Sequence, residues 1–536
     1  MLTVREGFYD EMLEADGSPR PHAQTLVEAL TALGPEALAQ AGRRRDAIFM
    51  QQGITFDAAG PDADGPVRDR PFPLDLVPRI IPADEWTSIK RGLAQRIRAL
   101  NAFIDDVYHG REIVHDGKVP WDLIVSRSGF ARAAHGIRPP GGVYCHVSGC
   151  DLVRDADGSW KVLEDNVRTP SGISYVLENR VAMTRLLPGL FAHYRVRPVD
   201  HYPALLRTAL EEVAPTGGEE EATVVVWTPG PFNSAYFEHA FLARQMGVEL
   251  VEASDLVVRD AVCHIRTTRG LQRVHAIYRR IDDDFMDPLE FRPDSLLGVP
   301  GLMRAYRAGS VAIVNAVGTG VADDKAIYHY VPEMIRYYLG EEPILENVPT
   351  YLMADADQRA WVLERLGEMV VKPTSESGGK GVFIGPSATD EQISRQADLI
   401  ARTPERWIGQ ELVRLSTVPT ALPDGTLASR HVDLRPFAVF GEDIRIVPGG
   451  LTRVALREGS MIVNSSQGGG SKDTWVLDEG EVPVDDLAGA PVWSPPRMPG
   501  LRQGEWSSQQ QQQQQVLVRP DAERPHQDAG LDAPRR

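Results

Sequence analysis

The first 120 residues contain one strongly amphipathic segment. Apolar side chains recur every three or four residues between Ile89 and Val107, which predicts a helix over 84–108 with one buried face and Asp84 as its N-cap. The three prolines in residues 71–78 exclude a helix there, so we expect this stretch to lie extended across another part of the molecule. Residues 1–120 are therefore predicted to form a mainly helical N-terminal region.

Apolar runs of strand length follow this region. Two β-rich runs between residues 143 and 167 flank Asp155-Ala-Asp-Gly158, which has the composition of a turn. The pattern predicts a hairpin within a segment that spans residues 121–215.

Two α/β lobes are predicted beyond the hairpin. The first, residues 216–340, combines strand patterns at 222–227 and 248–251 with a helical pattern at 238–246. The second, residues 341–480, has strands at 369–372, near 407–414 and at 432–447. After about residue 480 the chain becomes rich in Pro, Gly and Arg and contains seven consecutive glutamines, 509–515, so residues 481–536 are predicted to be a disordered tail.

Composition excludes several classes of function. The 536 residues carry a formal net charge of −18, which argues against non-specific binding to nucleic acid. The three cysteines are too few for a disulfide framework, and their spacing does not suit a zinc site. The N-terminus has no apolar signal-peptide core, and no run reaches the roughly 18 apolar residues of a membrane span. We therefore expect a cytoplasmic protein that binds neither nucleic acid nor a membrane.

A glycine-rich loop follows the predicted strand at 369–372. Lys372 precedes Pro-Thr-Ser-Glu-Ser-Gly-Gly-Lys-Gly, in which Gly378, Gly379 and Gly381 would let backbone N–H groups approach an anion closely. The spacing is not that of a Walker A loop. The loop is therefore either a phosphate cradle or a solvated turn.

The predicted hairpin carries a second set of polar residues. If it closes at Asp155–Gly158 without a bulge, Asp151 faces Val162, and Glu164 and Asn166 lie on the same side of the sheet. Two carboxylates and an amide oxygen form a hard oxygen set that suits Mg²⁺. The alternative is an ordinary solvated strand face.

Taken together, these two stretches resemble the ATP-grasp fold. The resemblance rests on the Lys372 loop, on Gln410-Glu-Leu-Val413 as a hinge strand, on Asp433-Leu-Arg435 and on Asn464-Ser-Ser-Gln-Gly-Gly469. In that fold the Asp…Glu-x-Asn metal strands come last, whereas here they precede the nucleotide loop. This order resembles the circularly permuted ATP-grasp family (type 2), which is related to the ATP-grasp domain of glutathionylspermidine synthetase.

The resemblance extends over roughly residues 8–480, including the phrases 160–172 and 278–284. It implies an α/β (α+β) fold, a circularly permuted ATP-grasp with a helical N-terminal region and a disordered C-terminal tail. The permuted segment at 121–215 would carry the metal hairpin. The lobe at 216–340 would be the pre-ATP-grasp lobe, and the lobe at 341–480 would bind the nucleotide.

The resemblance also implies roles for single residues. Mg²⁺ would be held by Asp151, Glu164 and Asn166. The residues expected to contact ATP are Lys325, Lys372, Gly378, Gly379, Lys380, Gly381, Gln410, Glu411, Val413, Arg435 and Asn464, with the lysines on the phosphates and Glu411 and its neighbours at the adenine and ribose. Lys325, Arg168 and Arg435 are the candidate catalytic residues.

One position departs from the family pattern. The synthetase relatives have an arginine two residues before the first metal aspartate, where this chain has Gly149. The resemblance leaves Arg154, Arg168 and Arg435 as candidates to replace it. The acidic run 282–284 is either an exposed turn or part of a substrate site in the pre-ATP-grasp lobe.

The activity implied by the resemblance is that of an ADP-forming ligase. It would join a small carboxylate to an amine or peptide through an acyl phosphate, with ATP and Mg²⁺ as cofactors. Two alternatives stay open, a sensor or scaffold that binds ATP without turnover and a phosphotransferase that stops at a phosphorylated product. The acid and the amine cannot be named from the sequence.

Overall fold

The computed structural model describes residues 4–56, 70–217, 221–375, 381–461, 463 and 469–478. The α-helices are α1 (Gln24–Gln52), α2 (Ala83–Tyr108), α3 (Glu112–His115), α4 (Trp121–Val125), α5 (Ile173–Leu186), α6 (Pro188–Ala192), α7 (Tyr202–Glu212), α8 (Tyr236–Met246), α9 (Asp283–Met286), α10 (Leu302–Arg307), α11 (Lys325–Tyr328), α12 (Val331–Met334), α13 (Ala356–Glu364) and α14 (Asp390–Arg402). The strands are β1 (Thr55–Phe56), β2 (Arg70–Pro71), β3 (Leu74–Ile81), β4 (Val147–Ser148), β5 (Asp151–Arg154), β6 (Trp160–Glu164), β7 (Val224–Trp227), β8 (Glu249–Val251), β9 (Leu256–Arg259), β10 (Val262–Thr267), β11 (Gly270–Arg273), β12 (Ala276–Arg279), β13 (Ala312–Val314), β14 (Glu346–Asn347), β15 (Thr350–Leu352), β16 (Met369–Pro373), β17 (Phe383–Ile384), β18 (Trp407–Glu411), β19 (Thr417–Ala421), β20 (Leu427–Phe440), β21 (Ile444–Val454) and β22 (Gly470–Val476). This mixture of helix and sheet confirms the predicted α/β (α+β) class.

The predicted amphipathic helix is α2. Its N-cap is Pro82, so the prediction of Asp84 as N-cap is wrong. Asp84 lies instead in the first turn, where its negative charge is favourable near the positive end of the helix dipole. The apolar face of α2 packs in one cluster with Leu152 and Leu434 of the largest sheet.

The largest sheet has nine strands within the described residues. Its order is β14-β6-β5-β20-β21-β22-β3, and β4 and β19 also pair with β20. β14 is parallel to β6, and β3 is parallel to β22. The proline-containing segment at 71–78 largely forms β3, a buried strand of this sheet, as its predicted extended conformation requires.

Strands from distant parts of the chain meet in this sheet. The β5–β6 hairpin lies between β14 and β20, and Leu152 of β5 pairs with Leu434 of β20. The early hairpin thus completes a sheet whose neighbouring strands, β20, β21 and β22, come from the last part of the described chain. This arrangement is the one expected of the permuted fold.

A separate antiparallel sheet contains the predicted nucleotide strand. Its order is β15-β18-β16-β17. Met369 and Val371 of β16 share an apolar core with Val362 of α13 and Ile400 of α14. Because side chains alternate along a strand, Lys372 of β16 lies on the face of the sheet away from these helices.

The third large sheet is parallel, in the order β13-β12-β7-β8. It is buried on both faces, since one face of its strands packs with α7 and α8 and the other packs in the core that includes α10. Its carboxyl edge presents the loops that follow Trp227, Arg279 and Val314. Loops at the carboxyl ends of parallel strands are the usual place for ligands in such sheets.

Two expectations from the sequence concern other parts of the chain. Among the helices that the structure describes, none is both long and apolar enough to cross a membrane. The predicted tail, with its glutamine run, lies outside the described residues.

Candidate active site

The β5–β6 hairpin places the two predicted metal carboxylates directly opposite each other. The Asp155 N–H donates to the Ser159 carbonyl at 3.0 Å, which closes a longer turn than predicted, and a bulge then sets Asp151 opposite Glu164. The predicted pairing of Asp151 with Val162 is wrong, because the turn and the bulge each shift the register by one residue. Direct opposition brings the two carboxylates onto one face of the sheet.

Asp151 is buried and paired with two arginines. Arg435 donates from Nε to Oδ1 at 2.5 Å and from Nη2 to Oδ2 at 2.8 Å, while Arg453 donates from Nη2 to Oδ2 at 2.6 Å. Burial alone would raise the pKa of Asp151, but the guanidinium groups of Arg435 and Arg453 outweigh it and hold the pKa well below its usual range. Asp151 is therefore ionised at neutral pH.

Arg453 is a member of this cluster that the sequence analysis missed. It lies opposite Asp433 in the β20–β21 ladder and donates from Nε to both carboxylate oxygens at 3.0 Å. Both side chains are buried. A charged residue such as Arg453, between the apolar Leu451 and Val454 of β21, is the feature of the sequence that could have marked it. Arg453 joins Asp433 and Asp151 into one ionic network.

The other two predicted metal ligands lie around the same point. Glu164 is the more accessible carboxylate, with 28% of its side chain exposed against 1% for Asp151. Its Oε2 lies 3.9 Å from Lys325 Nζ, and its Oε1 lies 3.9 Å from Arg435 Nη2. Asn166 donates from Nδ2 to the carbonyl of Gly149 at 3.0 Å, so its amide oxygen is the atom able to bind a metal.

Lys325 and Lys372 approach the hairpin from two other elements. Lys325 begins α11, and its backbone N–H donates at 3.2 Å to the carbonyl of Thr374, just beyond β16. Burial lowers the pKa of Lys372 to about 8; the charges of Glu164 and Asp151 oppose this shift, and the charge of Lys325 adds to it. Lys325 Nζ lies 3.9 Å from Glu164, and the charges that act on Lys372 are those of this same cluster, so both ammonium groups lie near the carboxylates of the hairpin.

Part of the predicted phosphate loop can be located. Gly381 has a φ of 70°, a left-handed conformation that favours glycine. Gly378, Gly379 and Lys380 lie outside the described residues, as does Asn464. The interpretation of this loop as a phosphate cradle stays a prediction.

The predicted hinge strand is β18 and the residues after it. Gln410 is buried and donates from Nε2 to Thr350 Oγ1 at 2.9 Å. Glu411 is exposed, and its Oε1 accepts from the Tyr351 hydroxyl at 2.7 Å. Val413 is buried in a small apolar cluster beside the largest sheet. These residues line the connection between the two sheets, and their contacts with a nucleotide stay a prediction.

The structure separates the three arginines considered as replacements at position 149. Arg154 lies on the α2 side of β5 and donates to Glu85 at 3.0 Å. Arg168 lies 3.5 Å from a carboxylate oxygen of Asp282, in the parallel-sheet lobe. The stem of Arg435 passes over Gly149, since a Cβ built on that glycine would lie 3.2 Å from Arg435 Cδ. Of the three arginines, Arg435 is therefore the one that lies beside Gly149.

The segment after Asn166 is tied to the carboxyl edge of the parallel sheet. Asp323 accepts a hydrogen bond from the Val167 N–H at 2.5 Å, and Asn315 donates from Nδ2 to the Val167 carbonyl at 2.7 Å. Burial raises the pKa of Asp323 to about 6, although Arg168 and the Val167 N–H oppose the shift. The edge of this sheet therefore adjoins the carboxylate and arginine cluster.

The acidic run 282–284 divides into two kinds of residue. Asp283 is a structural residue, because its Oδ2 accepts from the Gly318 N–H at 2.8 Å and its Oδ1 lies 2.8 Å from Arg279. Asp282 and Asp284 are exposed at the same edge.

The donor set can be tested against Mg²⁺. No group of three or more His, Cys, Asp or Glu residues is placed to hold a metal in the part of the chain that the structure describes. The predicted set instead combines two carboxylates with the amide of Asn166, and oxygen donors of this kind are the ones Mg²⁺ prefers. The chemistry of the set fits the metal, and its carboxylate charge is balanced by the neighbouring arginines and lysines.

Comparisons with known proteins agree with this arrangement. The family model described as circularly permuted ATP-grasp type 2 matches residues 78–455. An uncharacterized protein of Synechocystis sp. is 54% identical over 471 residues, which cover 88% of this chain and 97% of the relative. An uncharacterized protein of Mycobacterium tuberculosis (strain H37Rv) is 53% identical over 474 residues, which cover 88% of this chain and 84% of the relative.

A longer relative and a solved structure add to the comparison. A protein of Frankia alni, provisionally named glutamate–cysteine ligase 2-3, is 46% identical over 470 residues, and the match covers 87% of this chain but 54% of the relative. The structure of a glutathione synthetase-like effector from Globodera pallida superimposes with a TM-score of 0.54 at 12% identity, covering 83% of this chain and 98% of that one. At this identity the structural likeness is one of fold.

Proposed function

The chain belongs to the circularly permuted ATP-grasp family and is an ATP-dependent ligase, and we propose that it joins a carboxylate to an amine through an acyl phosphate. The observation that carries this proposal is the meeting of Asp151 and Glu164 with Lys325, Lys372 and Arg435. These residues come from a hairpin, a helix N-terminus and two other strands, and nothing in local structure alone requires them to converge. Convergent cations beside a carboxylate pair suit the binding and transfer of a phosphoryl group.

The site residues would divide the chemistry as follows. Asp151, Glu164 and Asn166 would hold Mg²⁺, which would supply positive charge to neutralise the phosphates of the nucleotide. Lys325 and Lys372 would bind phosphate oxygens. Arg435 would neutralise the negative charge on the phosphoryl group during its transfer.

The proposed reaction needs no side-chain nucleophile. An oxygen of the substrate carboxylate attacks the γ-phosphorus, the bond to the β–γ bridging oxygen breaks, and ADP leaves. The neutral amine then attacks the acyl carbon, inorganic phosphate leaves, and the amine gives up a proton as the amide forms.

We propose that the nucleotide base binds at the hinge strand, beside Gln410, Glu411 and Val413. The loop at 378–381 and Asn464 would bind phosphates. The carboxylate and amine would bind at the carboxyl edge of the parallel sheet, near Arg168 and Asp282, because this edge adjoins the segment that follows Asn166. The provisional name of the Frankia relative describes the joining of two amino acids, so glutamate and cysteine are the first acid and amine to test.

Two other functions make different predictions. A sensor or scaffold would bind ATP and release no ADP with any substrate. A phosphotransferase would release ADP with an acceptor alone and leave a stable phosphorylated product. The presence of both carboxylates and both lysines at one point favours turnover over simple binding.

The deciding experiment is a screen for substrate-stimulated ADP release. Purified full chain is incubated with ATP and Mg²⁺, with amino acids, polyamines and short peptides added singly and in pairs, and products are identified by mass spectrometry. A ligase gives ADP and an amide in equal amounts when acid and amine are both present. ADP formation with no amide in any pair would contradict the proposal, and a phosphorylated product would select the phosphotransferase.

A further inference from the structure

The guanidinium of Arg435 occupies the coordination directions of the carboxylate expected to hold the metal. A carboxylate has about four acceptor directions on its two oxygens. Asp151 already accepts three N–H bonds, two from Arg435 and one from Arg453. Arg435 also lies 3.9 Å from the nearer oxygen of Glu164, so its guanidinium is close to both carboxylates of the proposed metal site.

The two arginines differ in how firmly they are held. Arg453 donates three bonds to Asp433 in addition to its one bond to Asp151. Apart from its 3.9 Å approach to Glu164, Arg435 makes one longer polar contact within the described residues, 3.4 Å from Nη1 to the Ser171 carbonyl. Of the two, Arg435 is therefore the residue that can move away from Asp151 without breaking hydrogen bonds to a second carboxylate.

Gly149 guides the side chain of Arg435. A Cβ on this glycine would lie 3.2 Å from Cδ and 3.3 Å from Cγ of Arg435, which is closer than ordinary van der Waals contact. The absence of a side chain at position 149 thus lets the arginine stem cross the hairpin and reach Asp151. The same Cβ would lie 3.2 Å from Cβ of Pro170, so a methyl group there would be confined between the proline ring and the arginine stem. The flexible arginine stem is the neighbour that can yield, and its guanidinium stays chemically intact.

Charge makes Arg435 and a divalent cation competitors. Asp151, Glu164 and Asp433 supply three negative charges, and Arg435, Arg453, Lys325 and the neighbouring Lys372 already compensate them in the nucleotide-free chain. A divalent ion added alone would meet a guanidinium within a few ångströms and no uncompensated carboxylate. The triphosphate of ATP supplies new negative charge. An arginine binds phosphate oxygens in the same bidentate geometry in which it binds a carboxylate.

We infer that Arg435 is a resident counter-ion of the metal site, which holds Asp151 in the nucleotide-free chain and transfers to the phosphates when Mg²⁺ and ATP bind together. This inference rests on the proposed function. It makes metal binding conditional on the nucleotide, because the same arginine blocks the metal in one state and binds phosphate in the other.

Metal titration without nucleotide tests the exchange. Mn²⁺ replaces Mg²⁺ as the probe, and free Mn²⁺ is measured by electron paramagnetic resonance in titrations of the native chain, R435Q and G149A. Native chain should bind Mn²⁺ weakly; R435Q should bind it at least about tenfold more tightly, and G149A should show a smaller gain of the same sign. R307Q is the matched control, because it removes the same charge from an exposed pair with Glu290 and should leave Mn²⁺ affinity unchanged.

A second titration adds a non-hydrolysable ATP analogue. The advantage of R435Q over native chain should then disappear, because Arg435 would no longer compete with the metal. Circular dichroism checks that each variant is folded. If R435Q does not fold, the test is made with G149A. Mn²⁺ binding by R435Q or folded G149A that is no tighter than native binding would overturn the inference, even where native chain is an active ligase. A native chain that never releases ADP would refute the proposed function, whatever the titration shows.

Discussion

At the scale of the residue, the site is a balance between carboxylates and cations that share one small volume. Two guanidinium groups keep Asp151 ionised, while burial lowers the pKa of Lys372 and so disfavours its charged form. Both pKa values are lowered, which stabilises the charged form of Asp151 and destabilises the charged form of Lys372. Perturbed pKa values at neighbouring groups are typical of sites that handle a charged ligand. Two predictions follow from this balance.

The first prediction concerns Lys372 and pH. Its pKa of about 8 in the free protein lies below the usual lysine value, because burial disfavours the charged form. Phosphates favour the ammonium form, so ATP binding should take up a proton above this pKa. The dissociation constant for ATP should therefore rise as pH increases through 8, approaching about tenfold per pH unit.

K372R is the informative variant, because a guanidinium stays charged over this range. Calorimetric titration with ATP from pH 7 to pH 9 should give a flatter profile for K372R than for native chain. K118R, at an exposed pair with Glu333, is the matched control and should keep the native profile. An unchanged slope in K372R would assign the pH dependence to another group.

The second prediction concerns Glu164. E164Q removes one of the two carboxylate charges proposed to hold Mg²⁺, and kcat for ADP release should fall by at least about 100-fold. Glu164 is partly exposed, so the free energy of unfolding should change by less than about 1 kcal/mol. E290Q serves as the control for loss of a surface carboxylate. A native rate in E164Q would remove Glu164 from the site.

At the scale of the element, the hairpin is fixed from both of its faces. Asp151 and Glu164 face the ionic cluster, whereas Asp165 points the other way and pairs with Arg96 of α2. Arg96 donates from Nε and Nη2 to the two oxygens of Asp165 at 2.7 and 2.6 Å, and both side chains are buried. This pair fastens the end of β6 to α2.

Breaking the Asp165–Arg96 pair should cost stability. D165N leaves a buried guanidinium without its counter-charge, and the free energy of unfolding should fall by about 3–5 kcal/mol. Urea denaturation followed by circular dichroism measures the change. D294N, at an exposed pair with Arg292, should change it by less than about 1 kcal/mol. Equal effects of the two variants would show that the buried pair does not fasten the hairpin.

The hairpin also shows how far local sequence can predict a site. Alternation and turn composition predicted the hairpin and the common face of Asp151 and Glu164. The predicted register, which paired Asp151 with Val162, was wrong. The length of a turn and the position of a bulge depend on packing with neighbouring strands. Arg453 was missed because its pairing with Asp433 and Asp151 depends on the alignment of three strands. Local sequence patterns do not predict such an alignment.

At the scale of the whole molecule, the order of motifs was the most informative feature of the sequence. The metal strands come before the nucleotide loop, and this inversion predicted a permuted fold, which the sheet order and the family match confirm. The choice among Arg154, Arg168 and Arg435 required the folded chain, because the arginine that lies beside Gly149 is Arg435, the one farthest from it in sequence.

The C-terminal tail gives a prediction at the same scale. Residues 485–536 are rich in Pro, Gln and charged residues and carry little apolar surface to offset the entropy of ordering. Deleting them should leave the melting temperature and the ATP affinity within error of the full chain, as measured by calorimetry. A fall of several degrees on truncation would mean that the tail packs against the rest of the protein.

The pairing of β5 with β20 has a consequence for how the protein is made. Leu434 follows its partner Leu152 by 282 residues. At a synthesis rate of about 5–20 residues per second, roughly 15 to 55 seconds pass between the emergence of the two strands from the ribosome. During that interval the edge of β5 has no strand to join and Asp151 has neither of its arginines. The nascent chain is therefore exposed to wrong strand pairing until its last third is made, and chaperones that shield unpaired edges should matter more to its yield than to its final stability.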